Sequence, residues 1–236
     1  MIDYGLLASV IVAFAAPALA VQRWPSRTFE PGMGPVEAMV VPAAAGVLVG
    51  RLTTLALDDP GSLGSLGDML VIRSGVEFWP AVLAAALVAA WAGHRVGVGP
   101  MARLADLAPL AMVGYGAYEA ACVFRDGCYG PGSPLGLRPD GLTTRMLPIG
   151  ILMAVAIVAG AWVVGRIRGG RRSGLAVAIA VAIVAAVRSV GSIWLPRVGE
   201  ALTRQHRTSI LIAISALVVC AALSASRTRA LSRTSA

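Results

Sequence analysis

Two ionisable residues stand inside long apolar runs. Glu119 lies in ADLAPLAMVGYGAYEAACVF (105–124) and Arg188 in GLAVAIAVAIVAAVRSVGSIWL (174–195). An ionised group in hydrocarbon costs a few kcal/mol, about 2.5–3.5 on insertion scales, so such residues face a bundle interior and find a partner. Counted from the C-terminal ends of their runs, both lie roughly 7–11 Å deep at about 1.5 Å per residue. Matching depth makes a Glu119–Arg188 ion pair an expectation. The pair has two readings: it ties two helices together, or it lines a polar cavity. Tyr115 and Tyr118 flank Glu119 as hydrogen-bond partners or interfacial anchors.

The stretch CVFRDGCYGPGSPLG (122–136) is dense in Gly and Pro and reads as a tightly turned loop, not a helix. Cys122 and Cys128 are close enough in sequence to bridge in an oxidising compartment. Two unreactive apolar thiols is the other reading, and both stay open. Cys220 reads as a core residue. His94 reads as interfacial, and His206, between Arg204 and Arg207, as a loop residue without a second ligand. No His/Cys/carboxylate spacing supports a metal site, and no phosphate-cradling nucleotide loop is present.

Positioning these residues falls to apolar helices. Of the 236 residues, 57% are hydrophobic and only 14% charged, with a mean hydropathy of +0.78. A soluble domain carries roughly 25% charged residues. The chain therefore reads as an all-α, polytopic membrane bundle, which excludes a water-soluble enzyme, a disulfide scaffold and a disordered chain. At about 20 apolar residues per crossing, seven spans are expected: 2–21, 36–57, 77–93, 105–124, 147–165, 174–195 and 207–224. They make one transmembrane domain over 1–225, followed by a basic, solvated cytoplasmic tail, 226–236. The first run has Asp3 before it and no basic segment, so it reads as a span and not as a cleaved signal peptide.

The net charge of +8 comes entirely from Arg, since no Lys is present. These cations lie between apolar spans, a pattern that argues against nucleic acid as a partner. With the N-terminus outside, eleven Arg fall on cytoplasmic segments and eight on outer ones. The run GRIRGGRR (165–172) weighs locally in the same direction. N-out and C-in is the expected orientation. The outer Arg residues exceed what topology requires, and a planar guanidinium grips phosphate bidentately. They suit a phospholipid headgroup, or they pair with the loop acids Asp58, Asp59, Asp126 and Asp140.

Several short motifs carry a resemblance. Tyr4-Gly5-Leu6 opens the first run, Gly50-Arg51-Leu52 closes the second, and Arg73-Ser74-Gly75-Val76-Glu77-Phe78 leads into the third. The run from Cys122 through Gly130 to Leu135-Gly136 is the best match. Arg145 precedes the fifth run, and Arg188 follows Gly174 by fourteen residues. Together they resemble the prolipoprotein diacylglyceryl transferase family, weakly over nearly the whole length. That family moves diacylglyceryl from phosphatidylglycerol to the lipobox Cys of secreted prolipoproteins.

The resemblance implies a multi-pass protein of the bacterial inner membrane, with a phosphatidylglycerol-like substrate, a prolipoprotein peptide as acceptor and no cofactor. It implies Arg188 and Tyr4 as catalytic positions, and Arg51, Arg125, Arg145 and Gly130 as phospholipid-binding ones; Glu119 joins the catalytic set as the base that deprotonating a thiol calls for. The sequence departs from the family at Glu119, where the family carries Arg, and at Trp79, where it carries His. The family's Pro-Ser-Gln-Leu-Tyr-Glu after Arg145, and its Glu beyond Arg188, have no counterpart. Two other classes therefore stand beside transfer: a relative that binds phospholipid or a membrane partner without transfer, and a thiol-redox or solute carrier using Cys122 and Cys128.

Overall fold

The computed structural model describes residues 4–26, 28–29, 35–64, 75–125, 128–169, 172–194 and 203–234. Seven α-helices carry most of them: α1 (Tyr4–Ala20), α2 (Pro35–Asp58), α3 (Phe78–Arg95), α4 (Pro100–Ala120), α5 (Ile149–Ile167), α6 (Ser173–Trp194) and α7 (Arg204–Thr234). Between α4 and α5 lie a 3-10 turn, Ala121–Arg125, and two antiparallel strands, β1 (Tyr129–Leu137) and β2 (Met146–Pro148). A second 3-10 turn, Pro60–Gly64, follows α2.

Among the described residues, five helical segments are long and apolar enough to cross a membrane: Glu37–Asp58, Pro100–Phe124, Ile149–Ile167, Ser173–Trp194 and Arg204–Ser226. The apolar part of α1, Leu7–Ala20, is shorter. The helix α3 is not among the five; Pro80 sits near its start and Gly93-His94-Arg95 at its end. The basic stretch expected as a separate tail continues α7 as helix to Thr234.

The chain divides into two compact units, residues 28–104 and residues 1–27 with 105–236. In the first, α2 packs on α3 through Gly46 and Gly50, a Gly-x-x-x-Gly spacing that lets helix backbones approach closely. A Cβ on Gly46 would stand 2.8 Å from the Ala81 carbonyl, and one on Gly50 would stand 2.7 Å from that of Glu77. The same close approach buries Arg51, Thr54 and Glu77. The Glu77 amide donates to the Thr54 hydroxyl at 3.0 Å and to the Gly50 carbonyl at 3.1 Å. Arg103 lays its aliphatic stem on Gly93, places its guanidinium 5.0 Å from the Phe29 ring centre and donates to the Thr28 carbonyl.

In the second unit the core gathers Met112 of α4, Ile149, Met153, Ile157, Ala161 and Val164 of α5, and Ala176 and Ala180 of α6. Small residues again set the helix spacing. Gly114 of α4 lies against Ala13 and Pro17 of α1, Gly116 against Ala154 of α5, and Gly160 of α5 against Ile183 of α6. Leu211, Ile214, Leu217 and Val218 of α7 and Leu152, Val155 and Val163 of α5 point outward and are exposed. Apolar faces of this kind suit lipid, where no water competes and backbone groups are satisfied inside each helix.

The expectation of a non-helical loop over 122–136 is corrected at its start: residues 122–125 continue α4 as the 3-10 turn, and from Tyr129 the Gly- and Pro-rich stretch is an ordered strand. Its strand β1 pairs with β2 at Tyr129–Pro148, Gly132–Met146 and Leu137–Met146, with irregular steps between these pairs. Gly136 lies directly on the Met146 backbone, where no Cβ fits.

Candidate functional site

Arg188 sits two turns before the end of α6, among the small residues Ala185 and Gly191, both buried. Small neighbours leave room for a long side chain to lie along the helix surface toward α4. Its Nη1 is 3.5 Å from Glu119 Oε1, with both side chains mostly buried, 15% and 11% exposed. The matched depths of the two residues thus end in an ion pair. The same Nη1 donates to the Tyr115 hydroxyl, one turn before Glu119, and the guanidinium centre lies 5.6 Å from the Tyr115 ring centre. Nη2 donates to Gln205 Oε1 at 3.2 Å. Three helices, α4, α6 and α7, thus meet at one guanidinium.

One turn beyond Arg188, the Ser192 hydroxyl lies in hydrogen-bond contact with His206 Nδ1 and donates to the Ser189 carbonyl at 2.9 Å. His206 is buried in the first turn of α7, and its amide donates to Thr203 Oγ1 at 3.2 Å. The expectation that His206 lies in a loop is therefore corrected: it stands in the first turn of α7. Apolar hydropathy begins only after Arg207, so the sequence hides the first turn of this helix.

Cys122 and Cys128 are bridged, with Cα atoms 5.9 Å apart; of the two readings left open, the disulfide is the one observed. Cys128 adopts φ 61°, a left-handed conformation that redirects the chain from the 3-10 turn into β1. Gly150, in the first turn of α5, closes the space behind the bridge. A Cβ there would stand 2.5 Å from the Glu119 carbonyl, 3.0 Å from Cys128 Cβ and 3.5 Å from Cys122 Cβ. Its amide donates to the Cys128 carbonyl at 3.1 Å. The disulfide thus fixes the end of the helix that carries Glu119.

The other expected site residues fall elsewhere. Gly130 is buried against Ile149 and faces the Trp194 carbonyl. Arg145 is exposed, and its Nη1 donates to the Pro134 carbonyl at 3.4 Å. Tyr4 opens α1 and is 76% exposed. Arg51 belongs to the 28–104 unit, buried in α2. Arg125 ends the 3-10 turn, and its side chain lies outside the described residues, as do Arg73 and Ser74. Among the described residues no group of three His, Cys, Asp or Glu converges as a metal site.

A second buried ion pair was not anticipated. Arg168, just after α5, meets Asp106 of α4 at 2.8 Å, with side chains 7% and 4% exposed. Arg168 also donates to the Asp106 carbonyl at 3.3 Å and to the Pro25 carbonyl at 2.8 Å, and Ser26 donates to Asp106. Arg168 sits within GRIRGGRR, where charge reads as topology. An acid at the start of an apolar helix, as in ARLADLAPL, was the available signal. Every group of this pair has several partners, so it reads as a lock between chain segments.

No protein-family model matches the chain, and no curated protein matches it. What the site can do chemically follows from its own groups. Arg188 offers a planar fork at a mostly buried position, with an amide and a phenol at its edge, an arrangement that holds an oxyanion well. Glu119 is the competing anion already present.

Proposed function

We propose that the protein is a bacterial inner-membrane protein, N-terminus out and C-terminus in, that crosses the bilayer seven times. In this reading it acts as a divergent relative of the prolipoprotein diacylglyceryl transferases. It moves a diacylglyceryl group from a phosphatidylglycerol-like lipid to a thiol at the outer face. The observation that carries the reading is the mostly buried Arg188 at the meeting of α4, α6 and α7, ringed by Glu119, Tyr115 and Gln205.

In the reaction the acceptor sulfur bonds to the glyceryl carbon as the bond from that carbon to the phosphate oxygen breaks. Arg188 takes the phosphate in place of Glu119 and neutralises its growing charge. Glu119, freed from the guanidinium, takes the thiol proton, and the glycerol phosphate departs with the electron pair of the broken bond. One anion therefore replaces another at Arg188, and the displaced carboxylate becomes the base.

A second reading is a lipid-binding relative without transfer. The Glu119–Arg188 pair favours it, because the guanidinium already has its counter-ion. A third, thiol-disulfide exchange, is favoured by the formed Cys122–Cys128 bridge. Purified protein given acyl-labelled phosphatidylglycerol and a lipobox peptide separates them. Transfer predicts label on the peptide Cys that is lost in Arg188→Ala and Glu119→Gln and kept in Cys122→Ser. Lipid retention without label leaves the binding relative, and dependence on Cys122 alone leaves redox chemistry.

A further inference from the structure

The hairpin between α4 and α5 buries Tyr129 but carries three leucines outward. Leu135 is 91% exposed, the most exposed large apolar side chain among the described residues, and Leu137 and Leu142 are about half exposed. Turns ordinarily carry Gly, Pro, Asn, Asp and Ser, so leucines at these positions need another reason. The hairpin is also not free to tuck them inward. The Cys122–Cys128 bridge ties its first strand to the end of α4, Gly150 donates to the Cys128 carbonyl, and Gly136 is seated on the Met146 backbone.

Position and charge say what covers the leucines. Both flanking segments, Pro100–Phe124 and Ile149–Ile167, are long and apolar enough to cross a membrane. A crossing helix ends at the headgroup level, so the chain joining Phe124 to Ile149 begins and ends there. Exposed Arg138 and Arg145 stand beside the leucines, and among the described residues of this connection Asp140 is the one acid. Arg145 donates to the Pro134 carbonyl, the residue preceding Leu135, so a guanidinium fork and the apolar tip are neighbours. A phosphate on the fork would leave its acyl chains alongside the leucines.

We propose that this hairpin is a binding element for anionic diacyl phospholipid at the membrane surface. Arg138 and Arg145 take the headgroup, and Leu135, Leu137 and Leu142 enter the upper acyl region. The assignment does not depend on any transfer reaction, and loss of transfer would leave it standing.

The test uses the full chain in nanodiscs, with Leu135→Cys labelled by a bimane in a Cys220→Ser background. One label per chain, with no further free thiol, verifies that the Cys122–Cys128 bridge is intact. The label is expected to be quenched by lipids spin-labelled near the headgroup and shielded from aqueous iodide. Spin-labelled phosphatidylglycerol should quench more strongly than spin-labelled phosphatidylcholine at equal content. Arg138→Gln with Arg145→Gln should lower that preference, by up to roughly fivefold per arginine. Quenching by iodide alone overturns the proposal, because the tip then lies in water. Shielding from both quenchers also overturns it, because protein, such as a second copy, then covers the tip. Equal quenching by the two lipids overturns the anionic preference.

Discussion

Asp106 and Glu119 stand near the two ends of α4, about 20 Å apart along the helix axis at 1.5 Å per residue. Each is paired with an arginine from another segment, Arg168 for Asp106 and Arg188 for Glu119. Between them the helix is apolar, with Leu110 and Met112 fully or nearly buried. The two pairs differ in character. Arg168 and Asp106 lie at 2.8 Å with several further hydrogen bonds. Arg188 and Glu119 lie at 3.5 Å, and the arginine is shared with Tyr115 and Gln205. The tight pair ties chain segments together, and exchange of anions at the looser one is what the proposed reaction requires.

Removing one member of the tight pair leaves a buried charge without its counter-ion. Asp106→Ala or Arg168→Ala should each destabilise the protein by about 3–5 kcal/mol. The double variant should cost less than the sum of the two. Thermal unfolding in detergent across this double-mutant cycle checks the prediction, and additive losses would remove the coupling.

Gly150→Ala forces a Cβ against the Glu119 carbonyl and the disulfide, at 2.5 and 3.0 Å. A shift of backbone on one side or the other must follow, at a cost of about 1–3 kcal/mol. Gly99, where nothing lies within 4 Å of an added Cβ, is the control, and Gly99→Ala should leave the melting temperature nearly unchanged. Equal behaviour of the two variants would contradict the close approach of α5 to the bridge.

The Cys122–Cys128 bridge closes a short loop, with a sequence separation of 6. Chain-entropy reasoning gives about 2 kcal/mol for a loop of that size. Reduction, or Cys122→Ser with Cys128→Ser, should lower stability by about that amount. Because the bridge anchors the turn behind Glu119, proteolysis at 126–148 should also quicken, read by mass spectrometry of the fragments.

Tyr115→Phe removes one acceptor of the Arg188 guanidinium. Hydrogen bonds between membrane helices contribute about 0.6 kcal/mol on average and at most about 1.7, so unfolding should shift only slightly. Transfer, in the proposed reaction, should be more sensitive to Arg188→Lys, which keeps the charge and loses the fork. Kinetics of the two variants on acyl-labelled phosphatidylglycerol distinguish charge from geometry. Equal activity of Arg188→Lys and the parent protein would remove bidentate phosphate binding from the reading.

The sequence by itself determined where most helices run. The apolar runs 147–165 and 174–195 correspond closely to Ile149–Ile167 and Ser173–Trp194. It also made the Glu119–Arg188 pair legible, because hydropathy and helical rise are local quantities and place two charges at equal depth. The tertiary structure alone decided the rest. Whether Cys122 and Cys128 bridge depends on a left-handed turn at Cys128 and on Gly150 leaving space behind it. That Arg168 belongs to Asp106 and not to the topology of its loop, and that His206 reaches Ser192, depends on which helices are neighbours and which faces they turn to one another. Those choices are made by long-range packing of Gly and Ala faces, and small residues repeated along every helix carry too little local pattern to say which face meets which.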